Sequence, residues 1–202
     1  TGLSYQWYKG GNLLASQTGS SLVLSSVSAA DAGTYSVVVS GTCGTPLTRS
    51  ATLSVNQEVL IVSAPVNATK CPRTKATFEV EATGTALTYQ WYKGGALLPG
   101  ENDSRLRLGP VSAADAGTYS VVVSGACGAA VTNSATLTVN EDVMVTSGPV
   151  SVTNCPGTSA SFVVSATGTG LSYQWYKGAS AIVGQTGSSL VLANVSASDA
   201  GT

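Results

Sequence analysis

The chain repeats itself every 84 residues, and this period constrains its fold more than any other feature. The hexapeptide Tyr-Gln-Trp-Tyr-Lys-Gly begins at Tyr5, Tyr89 and Tyr173. A longer stretch, Val-Ser-Ala-Ala-Asp-Ala-Gly-Thr-Tyr-Ser-Val-Val-Val-Ser-Gly, begins at Val27 and returns intact at Val111. Residues 1–55 align with 85–139, and 57–84 with 141–168, without a gap. So strict a period denotes a tandem array. The unit is longer than a solenoid repeat and large enough to bury a small core, so each repeat is expected to be a domain of its own. Three segments follow: a partial unit over 1–56, a complete unit over 57–140 and a partial unit over 141–202. Both ends fall inside a unit, so the sequence reads as a window on a longer repetitive chain, and the lack of a visible signal peptide or sorting tail carries little weight.

Within the middle unit, apolar residues alternate with period two, the signature of half-buried strands. Phe78, Val80 and Ala82 point one way, with Thr77, Glu79 and Glu81 the other. Leu87, Tyr89 and Trp91 form a second inward set, and Leu106 with Leu108 a third. Tyr119, Val121 and Val123, then Ala135, Leu137 and Val139, complete the pattern. Turn signals separate these runs, among them Thr83-Gly84, Gly94-Gly95, Pro99-Gly100 and Asp115-Ala116-Gly117. Short strands at this spacing, with no helical periodicity, predict an all-β sandwich. Val and Thr, which suit a pleated half-buried surface, dominate the composition together with Gly, Ser and Ala.

Charge excludes several functions. Only 9% of residues are charged and the net charge is −1, which leaves too little Lys and Arg to displace counterions from nucleic acid. No apolar run approaches the roughly 20 residues of a membrane-spanning helix. The sequence contains no histidine, so neither an imidazole base nor a triad can be assembled. No catalytic residue, cofactor or metal site is assigned. Cys43, Cys71, Cys127 and Cys155 show no Cys-x-x-Cys spacing, and disulfide formation is a better reading for them than zinc.

The unit resembles an immunoglobulin domain of the intermediate set, in the form common in bacterial surface proteins. Two motifs carry the resemblance, which covers the whole chain. Trp91 in Tyr-Gln-Trp-Tyr-Lys matches the core tryptophan of strand C, and Asp115-Ala-Gly-Thr-Tyr119 matches the Asp-x-Gly-x-Tyr motif ahead of strand F. The resemblance places Trp7, Trp91 and Trp175 in the cores and makes Tyr35 and Tyr119 the tyrosines of the turn before strand F. It implies that 1–56 carries strands C to G, and 141–202 strand A to the start of F. The family's inter-sheet disulfide positions are occupied by Val80 and Val121, and by Val37 and Val164 in the other units, so packing alone must hold each core. Asp31, Asp115 and Asp199 are expected to orient their turns through backbone hydrogen bonds.

Surface features are few. Tyr8, Tyr92 and Tyr176 alternate with the core tryptophans and should face outward, joined on the same sheet by Val38 and Val122. This Tyr–Val patch is either a lateral contact or simply a covered sheet surface. The inter-unit segments Asn56-Gln57-Glu58 and Asn140-Glu141-Asp142 offer at most two carboxylates each, thin for calcium, and read as solvated linkers. Asn67, Asn102 and Asn194 match the glycosylation sequon, which is accidental if the source is bacterial.

In a sandwich of this kind strand A runs down while B and F run up. Cys71 then falls at the bottom of its unit and Cys127 at the top, about 25–30 Å apart at some 3.3 Å per residue. A disulfide needs Cα atoms about 4.4–6.8 Å apart, so bonds are expected between successive units, stapling each junction. An intra-unit bond and a bond between neighbouring chains are the alternatives. The expected function is an extracellular stalk or filament, self-associating as a polymer or bundle. The rival is an adhesin recognising glycan or protein through its loops or outer sheet. Near-identity of the units favours the stalk, since the only marked divergence is Pro99–Arg105.

Overall fold

A computed structural model describes residues 2–201; Thr1 and Thr202, at the outer limits of the two partial segments, lie outside the described residues. The first segment holds β1 (Ser4–Lys9), β2 (Asn12–Leu13), β3 (Gly33–Ser40) and β4 (Leu47–Leu53). The middle holds β5 (Leu60–Ser63), β6 (Ala68–Lys70), β7 (Ala76–Glu79), β8 (Glu81–Thr83), β9 (Thr88–Lys93), β10 (Ala96–Leu97), β11 (Arg105–Leu108), β12 (Gly117–Ser124) and β13 (Val131–Val139). The last holds β14 (Met144–Ser147), β15 (Ala160–Val163), β16 (Ser165–Thr167), β17 (Tyr176–Lys177), β18 (Ser180–Ala181) and β19 (Ser189–Leu192). The helical residues among those described form one 3-10 turn per segment, at Ala29–Asp31, Ala113–Asp115 and Ala197–Asp199. None of these is long and apolar enough to cross a membrane.

The middle segment is a two-layer sandwich. One layer is a five-stranded sheet in the order β10-β9-β12-β13-β6. The other consists of two ladders, β5 with β8 and β7 with β11. Hairpin β9–β10 closes through Gly94 and Gly95, both at positive φ (54° and 84°), the conformation that a two-residue hairpin turn demands and glycine supplies without steric cost. Between the layers Ala76, Phe78, Val80, Trp91, Leu106, Val111, Tyr119, Val121, Val123, Ala135 and Leu137 form one buried cluster. Trp91 lies opposite Val121 across the β9–β12 ladder, and the Phe78 ring sits 5.2 Å from that of Tyr119 and 6.3 Å from that of Trp91.

The first strand of the sandwich changes layers. Leu60–Ser63 pairs antiparallel with β8, with a register shift between Ile61 and Ser63. After the buried Pro65 the chain crosses, and Ala68–Lys70 runs parallel to β13, with Ala68 opposite Leu137. Proline cannot donate to a ladder, so it marks a point where a strand must leave its partner. The crossing is tied by Asn67, whose Oδ1 accepts a hydrogen bond from the backbone N–H of Thr136 at 2.8 Å.

The outer segments carry the same elements but fewer of them. The first is one four-stranded sheet, β2-β1-β3-β4, with Trp7 opposite Val37. The last pairs β14 with β16, β15 with β19 and β17 with β18. With fewer strands to cover them, Trp7 and Trp175 are only half-buried, in contrast to Trp91, which is 0% exposed.

Candidate functional site

The two repeated motifs meet at one end of each segment, in the middle one through Gln90, Lys93, Ser112, Asp115 and Tyr119. In the middle segment Ser112 precedes the 3-10 turn, and Asp115 closes a reciprocal cap on it. Asp115 Oδ2 accepts hydrogen bonds from the Ser112 backbone N–H at 2.7 Å and from its hydroxyl at 2.8 Å. These two bonds hold the Asp115 carboxyl below the ordinary carboxylate range against the opposing effect of burial, and the charge of Lys93 adds a lesser pull in the same direction as the bonds. Asp31 and Asp199 are held down in the same way by Ser28 and Ser196. Two residues on, Gly117 opens β12, and the Tyr119 hydroxyl donates back to the Asp115 carbonyl at 2.8 Å. Burial, followed by the nearby Asp115 charge, pushes the Tyr119 phenol above its usual value.

The hexapeptide supplies the other half. Gln90 Nε2 donates to the carbonyls of Trp91 at 3.0 Å, Leu98 at 2.8 Å and Glu101 at 3.4 Å, pinning the loop beyond β10 to β9. The Trp91 indole N–H donates to the Asp103 carbonyl at 2.9 Å. Lys93 crosses to the 3-10 turn, donates to the Ala114 carbonyl and lies over the Tyr119 ring. The same bonds recur at Gln6, Trp7 and Lys9, and at Gln174, Trp175 and Lys177. The tasks of Gln90 and Lys93 escaped the sequence reading, although invariance over three copies marks them. The divergent loop Pro99–Arg105 is drawn into the same scaffold, since it provides the acceptor for Trp91 and an ion pair between Arg105 and Glu79.

Tyr8 and Tyr92 are half-buried on their sheets, Tyr176 is 57% exposed, and Val38 and Val122 are half-buried beside them on β3 and β12. Asn67, one of the three sequon residues, is committed to the backbone of β13.

The segment junctions are the second place where named side chains converge. Gln57 and Thr85 exchange hydrogen bonds, Gln57 N–H to Thr85 Oγ1 at 2.8 Å and Thr85 N–H to the Gln57 carbonyl at 3.1 Å. Glu141 and Thr169 do the same at the next junction. Arg73, in the turn after β6, reaches Asp142 at 2.7 Å, so this end of the middle segment faces the start of the last one. Asp142, considered above as a calcium ligand, is thus engaged by a guanidinium. Among the described residues no three of Cys, Asp and Glu gather in a group that could hold a metal ion. All four cysteines carry free thiols, and no disulfide forms among the described residues. Cys43, Cys71 and Cys155 are exposed, and Cys127 is half-exposed with its Sγ 3.4 Å from the Asn56 carbonyl.

Comparison with known proteins places this architecture. No family model matches the chain. The muscle M-line assembly protein unc-89 of Caenorhabditis elegans is 32% identical over 162 residues, which cover 73% of this chain and 2% of that protein. The chain therefore spans about 2% of the length of the curated relative it matches. The I67–I69 fragment from the I-band of titin superposes with a TM-score of 0.67 at 18% identity, covering 98% of this chain and 80% of the fragment. Immunoglobulin domains 1–5 of Sidekick-1 superpose with a TM-score of 0.61 at 22% identity, covering 99% of this chain and 50% of theirs. The fold is that of tandem immunoglobulin-like β-sandwiches.

Proposed function

We propose that the chain is part of a load-bearing spacer, a stalk or filament on the outside of a bacterial cell. Segments 1–56, 57–140 and 141–202 are successive immunoglobulin-like units of it. The observation that carries this reading is the sameness of the three scaffolds. Each copy spends its conspicuous polar side chains, the Gln, Lys, Ser and Asp of the two motifs, on its own turns. That leaves them unavailable to a ligand. The one loop that diverges, Pro99–Arg105, is used by its own core tryptophan. Such side chains make a unit self-sufficient, and self-sufficient units in series give length without chemistry.

In this reading the partners are further units, and neighbouring copies packed through the outward faces around Tyr8, Tyr92, Tyr176, Val38 and Val122. Small-angle scattering and negative-stain microscopy of the purified chain test it: an elongated particle supports the spacer, and a compact folded-back one refutes it. Exchanging Tyr8, Tyr92 and Tyr176 for Ser should abolish concentration-dependent bundling while leaving the length of the particle unchanged. The alternative, an adhesin, is favoured instead if the monomeric chain binds immobilised glycans or an extracellular protein saturably, and if that binding is lost on changing the 99–105 loop.

A further inference from the structure

We infer that the two outer segments carry complementary layers of one sandwich, so that the inner face of the sheet in segment 1–56 docks on the inner face of the ladders in segment 141–202 of a second copy of this chain. The occupant of both apolar faces is thus the chain itself. The inference does not rest on the spacer reading, since a binding array could be joined in the same way.

The middle unit defines the two layers, β10-β9-β12-β13-β6 on one side and β5 with β8 and β7 with β11 on the other. Segment 1–56 forms four strands of the first layer, β2-β1-β3-β4. In it β3 repeats β12 residue for residue, and Trp7 stands opposite Val37 as Trp91 does opposite Val121. Segment 141–202 forms the second layer, β14 with β16 and β15 with β19. There Ala160, Phe162, Leu190 and Leu192 keep the register of Ala76, Phe78, Leu106 and Leu108.

Burial shows what each layer leaves open. Trp91 and Val121 are 0% exposed, whereas Trp7 and Val37 are half-buried, and Ala51 is exposed where Ala135 is buried. Phe78 is buried, whereas Phe162 is half-buried beside a cavity of about 420 Å³ that Leu190 and Leu192 also line. Removing both apolar faces from water at once is the driving force for association.

The strand edges match as well. In the middle unit β6 runs parallel to β13, with Ala68 opposite Leu137. The counterpart of β13, β4, is an edge strand, and the counterpart of β6, residues 152–154, lies in no strand. Placed as in the middle unit, Val152 of one copy comes opposite Leu53 of the other, and main-chain hydrogen bonds join the apolar contact.

The elements that both segments possess are the loosely held ones. Residues 21–24, the counterpart of β11, lie in no strand, and Val23 is 82% exposed. Strand β17 spans two residues where β9 spans six, and its ladder is with β18 alone. The β17–β18 hairpin can therefore withdraw without breaking a ladder to β15 or β19. Trp175, whose ring is 6.5 Å from that of Phe162, leaves with it. Its place is taken by Trp7 of the second copy, with Tyr35 beside it, as Trp91 and Tyr119 flank Phe78.

Sedimentation velocity of the purified chain tests this. The expected result is growth with concentration into species of two, three and more chains. Val37→Asp spoils only the first face and Phe162→Asp only the second, so each variant alone should stay monomeric. Mixed in equal amounts, the two variants retain one sound face each, on different chains. The expected product is a dimer with one chain of each kind, which grows no further. Misfolding of the spoiled segment leaves that expectation unchanged, because the sound face lies at the other end of the chain. Tyr8, Tyr92 and Tyr176 exchanged together for Ser should leave end-to-end growth as it is in the parent. A parent that stays monomeric at every concentration, a single variant that associates like the parent, a mixture without the capped dimer, or loss of growth in the Tyr variant would overturn the inference. A parent that is monomeric but elongated in scattering ends the docking and keeps the spacer, whereas a parent that grows from compact, folded-back particles keeps the docking and ends the spacer.

Discussion

The ammonium of Lys93 stands 5.6 Å from the centre of the Tyr119 ring while donating to the Ala114 carbonyl, so one side chain locks a strand to the turn beneath it. Lys93 addresses the ring of Tyr119, whereas the hydroxyl addresses Asp115. The two interactions are therefore separable. Lys93→Met should cost about 1 kcal/mol, the scale of a cation–π contact with one hydrogen bond near the surface. Tyr119→Phe should also cost about 1 kcal/mol, through the lost hydroxyl bond. Because Phe keeps the ring, the double variant should be additive within about 0.5 kcal/mol in urea unfolding.

Trp91 is 0% exposed, whereas Trp7 and Trp175 are half-buried. Trp91→Ala should destabilise the middle unit by about 3–5 kcal/mol, the cost of a large core truncation. The equivalent change at Trp7 or Trp175 should cost clearly less, because less of the side chain leaves a packed environment. Denaturant titrations followed by circular dichroism would give the order, and equal losses at all three positions would contradict the described burial.

The sandwich was legible in the sequence because its information is local and periodic. The alternation of Phe78, Val80 and Ala82 with Thr77, Glu79 and Glu81 assigns a face to each residue, and the structure buries Phe78 and Val80 while leaving the intervening Glu79 exposed. What escaped was relational. Pro65 looks like a loop residue until β6 is seen crossing to β13, since a change of partner depends on residues about 70 positions away along the chain. Gln90 reads as one more outward polar residue, and only the fold brings three carbonyls to its amide. Likewise Arg73 and Asp142 lie too far apart in sequence for either to announce the other.

Stability should depend on pH at both extremes. Asp115 has a lowered value in the folded unit, so its contribution is present above the ordinary carboxylate range and is lost as pH falls through the folded value. Tyr119 has a raised value, so its contribution is intact below the ordinary phenol value of 10.0 and is lost as pH rises beyond it. Asp115→Asn should flatten the acid limb of a urea-midpoint profile and weaken the alkaline limb, because burial still raises Tyr119 while the Asp115 charge no longer does. An acid limb as steep in that variant as in the parent would show that the Ser112–Asp115 cap does not carry it.

Gly125 has no room for a side chain. A Cβ there would lie 2.9 Å from Val59 Cγ2 and 3.1 Å from the Thr85 carbonyl, both at the junction end of the sandwich. Gly125→Ala should therefore destabilise by about 1–3 kcal/mol, as overpacking does. Gly109→Ala, where nothing lies within 4 Å, should stay within about 0.5 kcal/mol of the parent. Thermal denaturation of the two variants side by side checks the contrast.

The Gln90 amide has a consequence that unfolds over time. It holds its loop only because an NH2 group can donate to carbonyl oxygens. Side-chain amides hydrolyse slowly and without enzymes, and the product is a carboxylate, which can only accept. Deamidation would place negative charge among the very oxygens the amide had gathered, and the loop would be expelled rather than merely released. With the same clamp at Gln6 and Gln174, every unit carries its own slow chemical clock, and an old array would age one loop at a time while its cores stayed intact.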